Sequence, residues 1–378
     1  MRDFQREGCW PAPSQELLLK AALFQGDAAL SAWRSWQQIT DFEALDGASQ
    51  RLVPLLYRNL LDQGVPASLL HRYKGFYRWA WYRNQALFHG AASVLKSLTA
   101  AGIKTMVLKG VALALLHYRD AGARPMVDFD IMAPAPDAGR AIEVLIAQGW
   151  EPWSQPYRPL TPSHLATVNG HTFKNPQNQE MDLHWHLLSE CCYEEADRTY
   201  WDGAVPLRVA GVPTLALNPT DLLFHTCVHG YKWNRVPPFR WVADAIILLR
   251  SAGPEIDWRR LVDLAIERQL TLATGNTLAY LQATFAVSVP SDTLQTLAQY
   301  PVSYVERHEY RVATRPTSGR AWVWAWWGQH RRVQRNRSLA ARLASFPTYV
   351  QHILALDHVW DLPLFALGRI GRRSEAQD

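Results

Sequence analysis

Apolar positions recur at the spacing of an α-helix through the first hundred residues of the chain. The segment SQELLLKAALF (14–24) gathers Leu and Ala on one helical face, and ALFHGAASVLKSLTAAGI (86–103) continues the period. The second segment reaches Gly102, and glycine is a residue type that commonly ends helices. We therefore expect an N-terminal helical region over residues 1–100.

The pattern changes between residues 101 and 217, where short apolar runs alternate with helical stretches and turn residues. In chain order the sequence predicts a buried strand KTMVL (104–108), a helix VALALLHY (111–118) opened by Gly110, a strand MVDFDIMAP (126–134), a helix DAGRAIEVLIAQGW (137–150), strands HTFKN (171–175) and EMDLHWHL (180–187), and a hairpin VPLRVAGVPTLAL (205–217) turning at Ala210-Gly211. This order predicts a fold of the α+β class, a mixed α/β core with a small β-sheet.

Helical patterning returns after the hairpin. NPTD (218–221) places Asn at the N-cap, Pro at the first helical position and Asp in the first turn. Apolar stripes follow in RWVADAIILLRS (240–251), DWRRLVDLAIERQ (257–269) and TGNTLAYLQATF (274–285). We expect residues 218–378 to form a C-terminal helical domain.

Composition narrows the class of protein. The 378 residues are 48% hydrophobic and 19% charged, which predicts a folded chain of two or three packed units. The net charge of +5 is compatible with a phosphorylated ligand and is too small to indicate nucleic acid by itself. Four cysteines without a CxxC pair, no signal-peptide pattern and no apolar run of about 20 residues predict a soluble cytoplasmic protein with reduced thiols.

The strand around Asp128 carries the most informative chemistry. Asp128 and Asp130 are two residues apart, so both leave the same face of a strand, with their backbones roughly 6.6 Å apart. Phe129 and Ile131 then face the packed side. Two ionised carboxylates this close repel each other unless cations lie between them, and Mg²⁺ prefers such oxygen ligands together with substrate phosphates.

A third carboxylate follows in the strand EMDLHWHL. By alternation, Asp182 shares one face with His184 and His186. If this strand pairs beside the strand of Asp128 and Asp130, three carboxylates converge, as a two-metal site for phosphoryl chemistry requires.

Basic residues near the acidic strand offer phosphate contacts. Lys109 and Gly110 lie where a strand passes into a helix, and Gly allows close backbone approach there. Lys109 can add a point charge and Arg124 a planar fork to triphosphate oxygens.

Each of these residues alone has an ordinary structural explanation. A single D-x-D is a weak pattern, and a lone Lys, Arg or His is more often solvated, ion-paired or half-buried. The order of strand, glycine turn, helix, D-x-D strand, helix and later acidic strand is what favours a site. His225 and His229 lie four apart, but Thr226 replaces the glutamate of a zinc protease H-E-x-x-H motif, so catalytic zinc is disfavoured.

The segment LKGVALALLHYRDAGARPMVDFDIMAP (108–134), together with MDLHWHL (181–187), resembles the uncharacterised nucleotidyltransferase family of the polymerase-β-like superfamily. The resemblance covers roughly residues 14–270. It implies a nucleotidyltransferase-type sheet with flanking helical regions, and a divalent metal site with two Mg²⁺ ions, Mn²⁺ being the alternative. The implied metal ligands and catalytic acids are Asp128, Asp130 and Asp182, and the implied phosphate-binding residues are Lys109, Gly110 and Arg124. The resembling family also has a histidine at the position of His229, which we assign to the substrate side together with His184 and His186, the two histidines on the face of Asp182.

One residue pattern departs from the wider superfamily. The turn there is Gly-Ser or Gly-Gly, whereas this chain has Lys-Gly-Val, as the resembling family does. Without the hydroxyl of Gly-Ser or the second glycine of Gly-Gly, this turn would contact a triphosphate differently from the turn of the wider superfamily.

The expected activity is transfer of NMP from an NTP, with ATP favoured, to an acceptor hydroxyl with release of pyrophosphate. The acceptor could be a small molecule, a protein side chain or an RNA end, and no membrane partner is expected. Two alternatives stay open: a catalytically silent NTP-binding or scaffold protein with the same fold, and a toxin-like RNA-modifying transferase. The second would use the basic aromatic segment AWVWAWWGQHRRVQRNR (321–337), although such segments more often form a helix with Trp in the core, and nucleic acid is not the favoured partner.

Overall fold

A mixed β-sheet organises the fold. The computed structural model describes residues 9–153, 161, 165, 167–193, 195–232, 239–315, 319–354 and 356–365, without the side chains of residues 319 and 320. Within these residues the strands are β1 (Met106–Leu108), β2 (Asp128–Met132), β3 (Glu151–Pro152), β4 (Gly170–Lys174), β5 (Glu180–His184), β6 (Val205–Val209) and β7 (Val212–Ala216).

The strands lie in the order β3-β4-β5-β2-β1-β7-β6. The pairs β2–β5 and β1–β7 are parallel, and the other neighbours are antiparallel. In the β2–β5 pair, Asp130 lies directly opposite Asp182. The strand pairing on which convergence of the three carboxylates depends is therefore confirmed.

Helices before, within and after the sheet surround it. In chain order they are α1 (Pro13–Leu23), α2 (Gly26–Ile39), α3 (Gly47–Gln50), α4 (Val53–Asp62), α5 (His71–Ala100), α6 (Lys109–Leu113), α7 (Ala138–Ala147), α8 (Arg198–Asp202), α9 (Pro219–Gly230), α10 (Arg240–Ala252), α11 (Trp258–Glu267), α12 (Thr271–Phe285), α13 (Ser291–Gln299), α14 (Tyr304–Thr314), α15 (Gly319–Val333) and α16 (Leu339–Leu354). None of these described helices has the length and apolar character that crossing a bilayer requires. The mixed α+β fold class is confirmed.

The two faces of the sheet pack against different helices. Phe129 of β2 and Leu183 of β5 belong to a hydrophobic cluster that includes buried residues of α5 and α7. On the opposite face, Met106, Leu108 and Met132 belong to a second cluster with buried residues of α1, α4, α9, α10 and α12. Because side chains alternate along β2, Asp128 and Asp130 share this second face with Met132.

Local sequence signals set several element boundaries as expected. Ala210 and Gly211 make the β6–β7 turn with φ of 44° and 83°, the left-handed conformation that a two-residue hairpin turn requires. The Asn218 side chain accepts a hydrogen bond from the Asp221 amide at 3.0 Å and caps α9. The four cysteines are buried free thiols.

Two of the predicted elements differ from the structure near the acidic residues. The helix expected from residue 111 begins at Lys109, and after α6 it continues as a π-helical segment over Ala114–Tyr118. The strand expected over 180–187 ends at His184, because the amides of Trp185 and His186 both donate to the Asn169 carbonyl. The alternation therefore does not carry His186 onto the face of Asp182. The division into regions 1–100, 101–217 and 218–378 stays a prediction, and within its last region residues 366–378 lie outside the described part.

Candidate functional site

Asp130 lies at the centre of a buried polar cluster. Lys109 donates from Nζ to Asp130 Oδ1 at 2.5 Å, and His184 Nε2 lies 3.1 Å from the same oxygen. The side-chain Nδ2 of Asn169 is 3.3 Å from His184 Nδ1. With Nδ1 accepting from this group, the imidazole carries its proton on Nε2, which donates to Asp130. Asp130 is 5% exposed, and its charge is compensated by groups of the chain itself.

Lys109 reaches Asp130 from the junction of β1 and α6. Its backbone has φ of 44°, which is uncommon for a residue with a side chain and costs on the order of 1 kcal/mol. The Nζ atom is also 3.5 Å from His184 Nε2. The strained turn aims the ammonium at the acidic strand.

Asp182 completes the carboxylate group from β5. Its Oδ1 accepts a hydrogen bond from Thr172 Oγ1 at 2.6 Å, which fixes its orientation. Asp130, Asp182 and His184 each place one potential ligand atom within 4.8 Å of the others. Asp128 is half-buried and lies on the same cavity as Asp130 and Asp182.

The two aspartates of β2 are in opposite electrostatic situations. Burial, reinforced by the charges of Asp130 and Asp182, raises the pKa of Asp128. Burial alone would raise the pKa of Asp130, but the charge of Lys109 and the hydrogen bond with His184 hold it well below its usual range. Burial also opposes the charge of Lys109, yet the charge of Asp130 raises the Lys109 pKa above its ordinary value. One carboxylate is thus compensated and its neighbour is not.

These groups open onto a cavity of about 300 Å³ between the sheet and helices that precede and follow it in the chain. Seven of the nine residues that the sequence analysis assigns to the site line it: Lys109, Gly110, Arg124, Asp128, Asp130, Asp182 and His229. The remaining wall includes Ala48, Arg51, Leu113, Met126, Val127, His225, Thr226, Arg240, Trp241 and Asp244. His184 lies behind the carboxylates.

Arg124 lines the cavity, but its fork is already engaged. Nε and Nη2 donate to the two carboxylate oxygens of Asp244 at 2.8 and 2.9 Å, and Tyr118 donates its hydroxyl to Asp244 Oδ1. Burial would raise the pKa of Asp244, but the Arg124 charge keeps it below its usual value. The fork that the sequence assigns to phosphate oxygens therefore joins the loop before β2 to α10.

Gly110 has a packing reason that differs from the expected one. A Cβ at this position would lie 2.7 Å from Arg124 Nη1 and 2.8 Å from the Met126 sulfur. A side chain at this position would displace Arg124 or Met126 from the turn between β1 and α6.

The predicted histidines separate into different surroundings. Burial, with a smaller contribution from the Lys109 charge, lowers the pKa of His229 to about 3, so its imidazole is neutral on the cavity wall. His186 lies away from the carboxylates, with Nδ1 2.6 Å from Asp197 Oδ2. Asp197 also accepts from the Leu187 amide, so His186 belongs to the packing of the loop after β5.

Sequence reasoning missed the contribution of α10. Arg240 donates from Nη1 to the Pro125 carbonyl at 2.6 Å, and Asp244, one turn later, holds Arg124. Two charged residues four apart within the apolar helix RWVADAIILLRS are an available signal, because buried charges require partners. Their partners are more than a hundred residues away and cannot be read from spacing.

The donor set fits a divalent cation that prefers oxygen ligands. Asp128, Asp130 and Asp182 place three carboxylates on the cavity, and burial together with the charges of Asp130 and Asp182 raises the pKa of Asp128 although Lys109 and Arg240 oppose the shift. Mg²⁺ and Mn²⁺ are the ions that carboxylates of this kind accept. Lys109 and His184 both contact Oδ1 of Asp130, so an ion that binds this oxygen would compete with the ammonium.

Comparison with known proteins gives a family. The family described as "Uncharacterised nucleotidyltransferase" matches residues 47–286, well over half of the 378 residues. This range includes the whole sheet and each of the seven cavity-lining residues that the sequence analysis assigned.

Two of the solved structures that match this chain do so at low sequence identity. One is the crystal structure of an antigenic nucleotidyltransferase-like protein from Paracoccidioides brasiliensis, with 16% identity over 55% of this chain and 95% of that chain, at a TM-score of 0.38. Another is the solution structure of the antibiotic-resistance factor ANT(2'')-Ia, with 13% identity over 54% of this chain and 96% of that chain, at a TM-score of 0.33. No curated protein matches the sequence.

Proposed function

The chain belongs to the uncharacterised nucleotidyltransferase family, and from this membership we propose that it transfers NMP from an NTP, with ATP favoured, to an acceptor hydroxyl. The observation that carries the proposal is the meeting of Asp128, Asp130 and Asp182, from two paired strands, on one cavity of about 300 Å³. A cavity of this size holds part of a nucleotide and leaves the rest of the substrates at its mouth.

Asp128, Asp130 and Asp182 would hold the divalent ions. Bound Mg²⁺ or Mn²⁺ would supply Lewis-acid stabilisation of the negative charge on the phosphate oxygens. The Thr172 hydroxyl would keep Asp182 oriented toward the acceptor by occupying its Oδ1.

The reaction would be an in-line substitution at the α-phosphorus. The acceptor oxygen forms a bond to the α-phosphorus, the bond from that phosphorus to the oxygen bridging the α- and β-phosphates breaks, and pyrophosphate leaves with the electron pair. Asp182 takes the proton of the acceptor hydroxyl. Lys109 leaves Asp130 and donates to the triphosphate, which exchanges one carboxylate partner for several phosphate oxygens.

Residues around the acids would position the substrates. Arg124 keeps Asp244 as its partner, and its Nη1 atom, which lies beside Gly110, is the part of the guanidinium oriented toward the β1–α6 turn. The neutral imidazole of His229 can accept or donate one hydrogen bond on the cavity wall without adding charge.

The test measures transfer from α-labelled ATP, GTP, CTP and UTP with Mg²⁺ or Mn²⁺, in a lysate of plausible acceptors, with pyrophosphate release as the second readout. We expect the Asp128→Ala/Asp130→Ala variant to lose transfer by at least about 10³-fold. Asp263→Ala, an exposed carboxylate on α11, is the matched control and should retain wild-type rates. Equal labelling by wild type and the double variant would sink the proposal.

The alternative of a silent NTP-binding protein has one observation in its favour. Lys109 supplies a cation to Asp130 within the chain itself, at 2.5 Å. If the protein only binds NTP, calorimetry detects NTP binding while no pyrophosphate is released with any acceptor. The Asp128→Ala/Asp130→Ala variant then changes NTP binding and has no transfer activity to lose.

A further inference from the structure

A second cavity, of about 290 Å³, lies among the C-terminal helices and the loop after β5. Five arginines line it: Arg268, Arg331, Arg332, Arg335 and Arg342. Its other lining residues are Cys191, Tyr193, Glu267, Gln269, Ser303, Val305 and Gly328. The two cavities share no lining residue, and we call this second one the arginine cavity.

Arg268 is buried at the back of the arginine cavity with an unsatisfied donor. It is 2% exposed and donates from Nη1 to the Tyr193 hydroxyl at 2.5 Å, and it also lies over the Tyr200 ring. Its Nε–H group has no hydrogen-bond partner among the described residues. An unpartnered buried donor on a charged group typically lowers the stability of the fold by about 1–3 kcal/mol, so its presence calls for an explanation.

Arg332 repeats this situation from α15. It is 8% exposed and donates from Nη2 to Glu309, while its Nε and Nη1 have no partner within the described part of the chain. Two buried guanidinium groups thus line one cavity, and each has N–H donors without a hydrogen-bond partner among the described residues.

The outer side of the arginine cavity adds cations from separate segments. Arg331 and Arg335 are exposed, and the Arg335 guanidinium lies 4.6 Å from the centre of the Tyr193 ring. Arg342 comes from α16 and donates to the carbonyls of Gln334 and Arg335. The five guanidinium groups outnumber the four carboxylates named around them, Glu190, Glu267, Glu306 and Glu309, so the arginine groups leave a net positive charge at the cavity.

We propose that the arginine cavity binds a small molecule carrying a diphosphate group. Guanidinium groups bind carboxylates and phosphates through paired N–H donors. Here they approach from the end of α11, from α15 and the turn after it, and from α16, and therefore from several directions. A planar carboxylate satisfies one such direction, whereas the tetrahedral oxygens of two linked phosphates satisfy several. The enclosed volume suits a compact ligand better than a nucleic-acid strand.

The arginine cavity also gives the basic segment RRVQRNR a structural role. Arg331, Arg332 and Arg335 of this segment line the cavity, so they are arranged around a common point. The proposal is independent of nucleotidyl transfer, because none of these residues lines the first cavity, which contains Asp128, Asp130 and Asp182 and which we call the acidic cavity.

The test is calorimetric titration of the full chain with pyrophosphate in EDTA, which prevents metal-dependent binding at the acidic cavity. We expect one pyrophosphate per chain, and at least about tenfold weaker binding for the exposed pair Arg331→Gln/Arg335→Gln. Arg337→Gln is the matched control, because Arg337 is exposed in the same segment and does not line the cavity. It should change affinity by less than about twofold.

Several results overturn the proposal. One is a wild-type chain that does not bind pyrophosphate, and another is a double variant that binds as tightly as wild type. Equal losses for Arg337→Gln and the double variant would indicate attraction to surface charge alone. Loss of binding in Lys109→Ala with no loss in the double variant would assign the pyrophosphate to the acidic cavity. Tighter binding of citrate than of pyrophosphate would exclude a phosphate ligand. Circular dichroism melting establishes that each variant is folded.

Discussion

At the scale of single residues, Asp128 and Asp130 show how strongly surroundings decide the cost of a charge. They leave the same face of β2, yet burial and two neighbouring acids raise the pKa of Asp128, while Lys109 and His184 lower that of Asp130. Without metal, the ionised form of Asp128 therefore destabilises the folded chain, whereas the ionised form of Asp130 stabilises it.

The two aspartates should respond to neutralisation with opposite signs. In EDTA at pH 7, we expect Asp128→Asn to raise the free energy of unfolding by on the order of 1 kcal/mol, since it removes a repulsion. Asp130→Asn should lower it by about 3 kcal/mol, because Lys109 loses its partner. Urea unfolding measures both.

The pH dependence provides the check on that prediction. A raised pKa in the folded state destabilises the charged form, so the advantage of Asp128→Asn should vanish as the pH falls below the unfolded value of about 3.9. The stabilising charge of Asp130 is present above that value and is lost as the pH falls through its lower folded pKa. Changes of the same sign for both variants at pH 7 would contradict this account.

Gly110 allows a test of close packing at the site. We expect Gly110→Ala to lower the free energy of unfolding by about 1–3 kcal/mol, since its Cβ would meet Arg124 Nη1 at 2.7 Å and the Met126 sulfur at 2.8 Å. Gly139→Ala in α7 is the control, because a Cβ there has open space within 4 Å. That change should be neutral or stabilising by up to about 1 kcal/mol. Equal effects in thermal melts would refute the packing reason for Gly110.

Residue spacing predicted part of this site and could not predict the rest. The two-residue separation of Asp128 and Asp130 placed both on one face. Asp182 was expected beside them only if its strand paired with theirs, and the β2–β5 pairing meets that condition. The contacts of Lys109 with Asp130 and of Arg124 with Asp244 join residues that are distant in sequence. No periodic pattern encodes which buried cation meets which buried acid.

At the scale of elements, the position of α10 on the sheet is fixed by charge as well as by apolar packing. Arg124 and Asp244 form two hydrogen bonds while both are almost fully buried, and Arg240 of the same helix binds the Pro125 carbonyl. The loop before β2 and the first two turns of α10 are therefore joined at three points. One wall of the acidic cavity depends on this junction.

Breaking the junction should be costly. We expect Asp244→Ala to lower the free energy of unfolding by about 3–5 kcal/mol, because it leaves the Arg124 charge buried without its partner. Asp62→Ala, which breaks the exposed pair with Arg58, should change it by less than about 0.5 kcal/mol. Unfolding in guanidinium chloride measures the free energy of unfolding of both variants. A similar small effect for both would mean that α10 is held by apolar packing alone.

Element types followed from local patterns more readily than element ends. The hairpin at Ala210-Gly211 and the cap at Asn218 are local and were predicted. The end of β5 at His184 depends on the Asn169 carbonyl, which accepts from two successive amides and stops the ladder. An apolar alternation that continues to residue 187 carries no information about that acceptor.

At the scale of the whole molecule, the acidic cavity has walls from the sheet and from helices that precede and follow it in the chain. Arg51 comes from the helices before the sheet, Asp130 from the sheet and Trp241 from the helices after it. The same parts share one hydrophobic cluster, in which Leu56 and Ile246 join Leu108 of β1. The site therefore forms only when the helices that precede the sheet in the chain and those that follow it are both packed against it.

The last prediction concerns the excised sheet region. We expect a fragment of residues 101–217 to lack cooperative unfolding, because Met106, Leu108 and Met132 would lose the helices that cover them. Exposing each such side chain costs roughly 2 kcal/mol, and the sum approaches the entire stability of an ordinary domain. Thermal circular dichroism and binding of a hydrophobic dye, with the full chain as control, make the comparison. A monomeric fragment that melts cooperatively and binds no dye would show that the sheet is stable without its flanking helices, and the acidic cavity could then be assembled by domain docking alone.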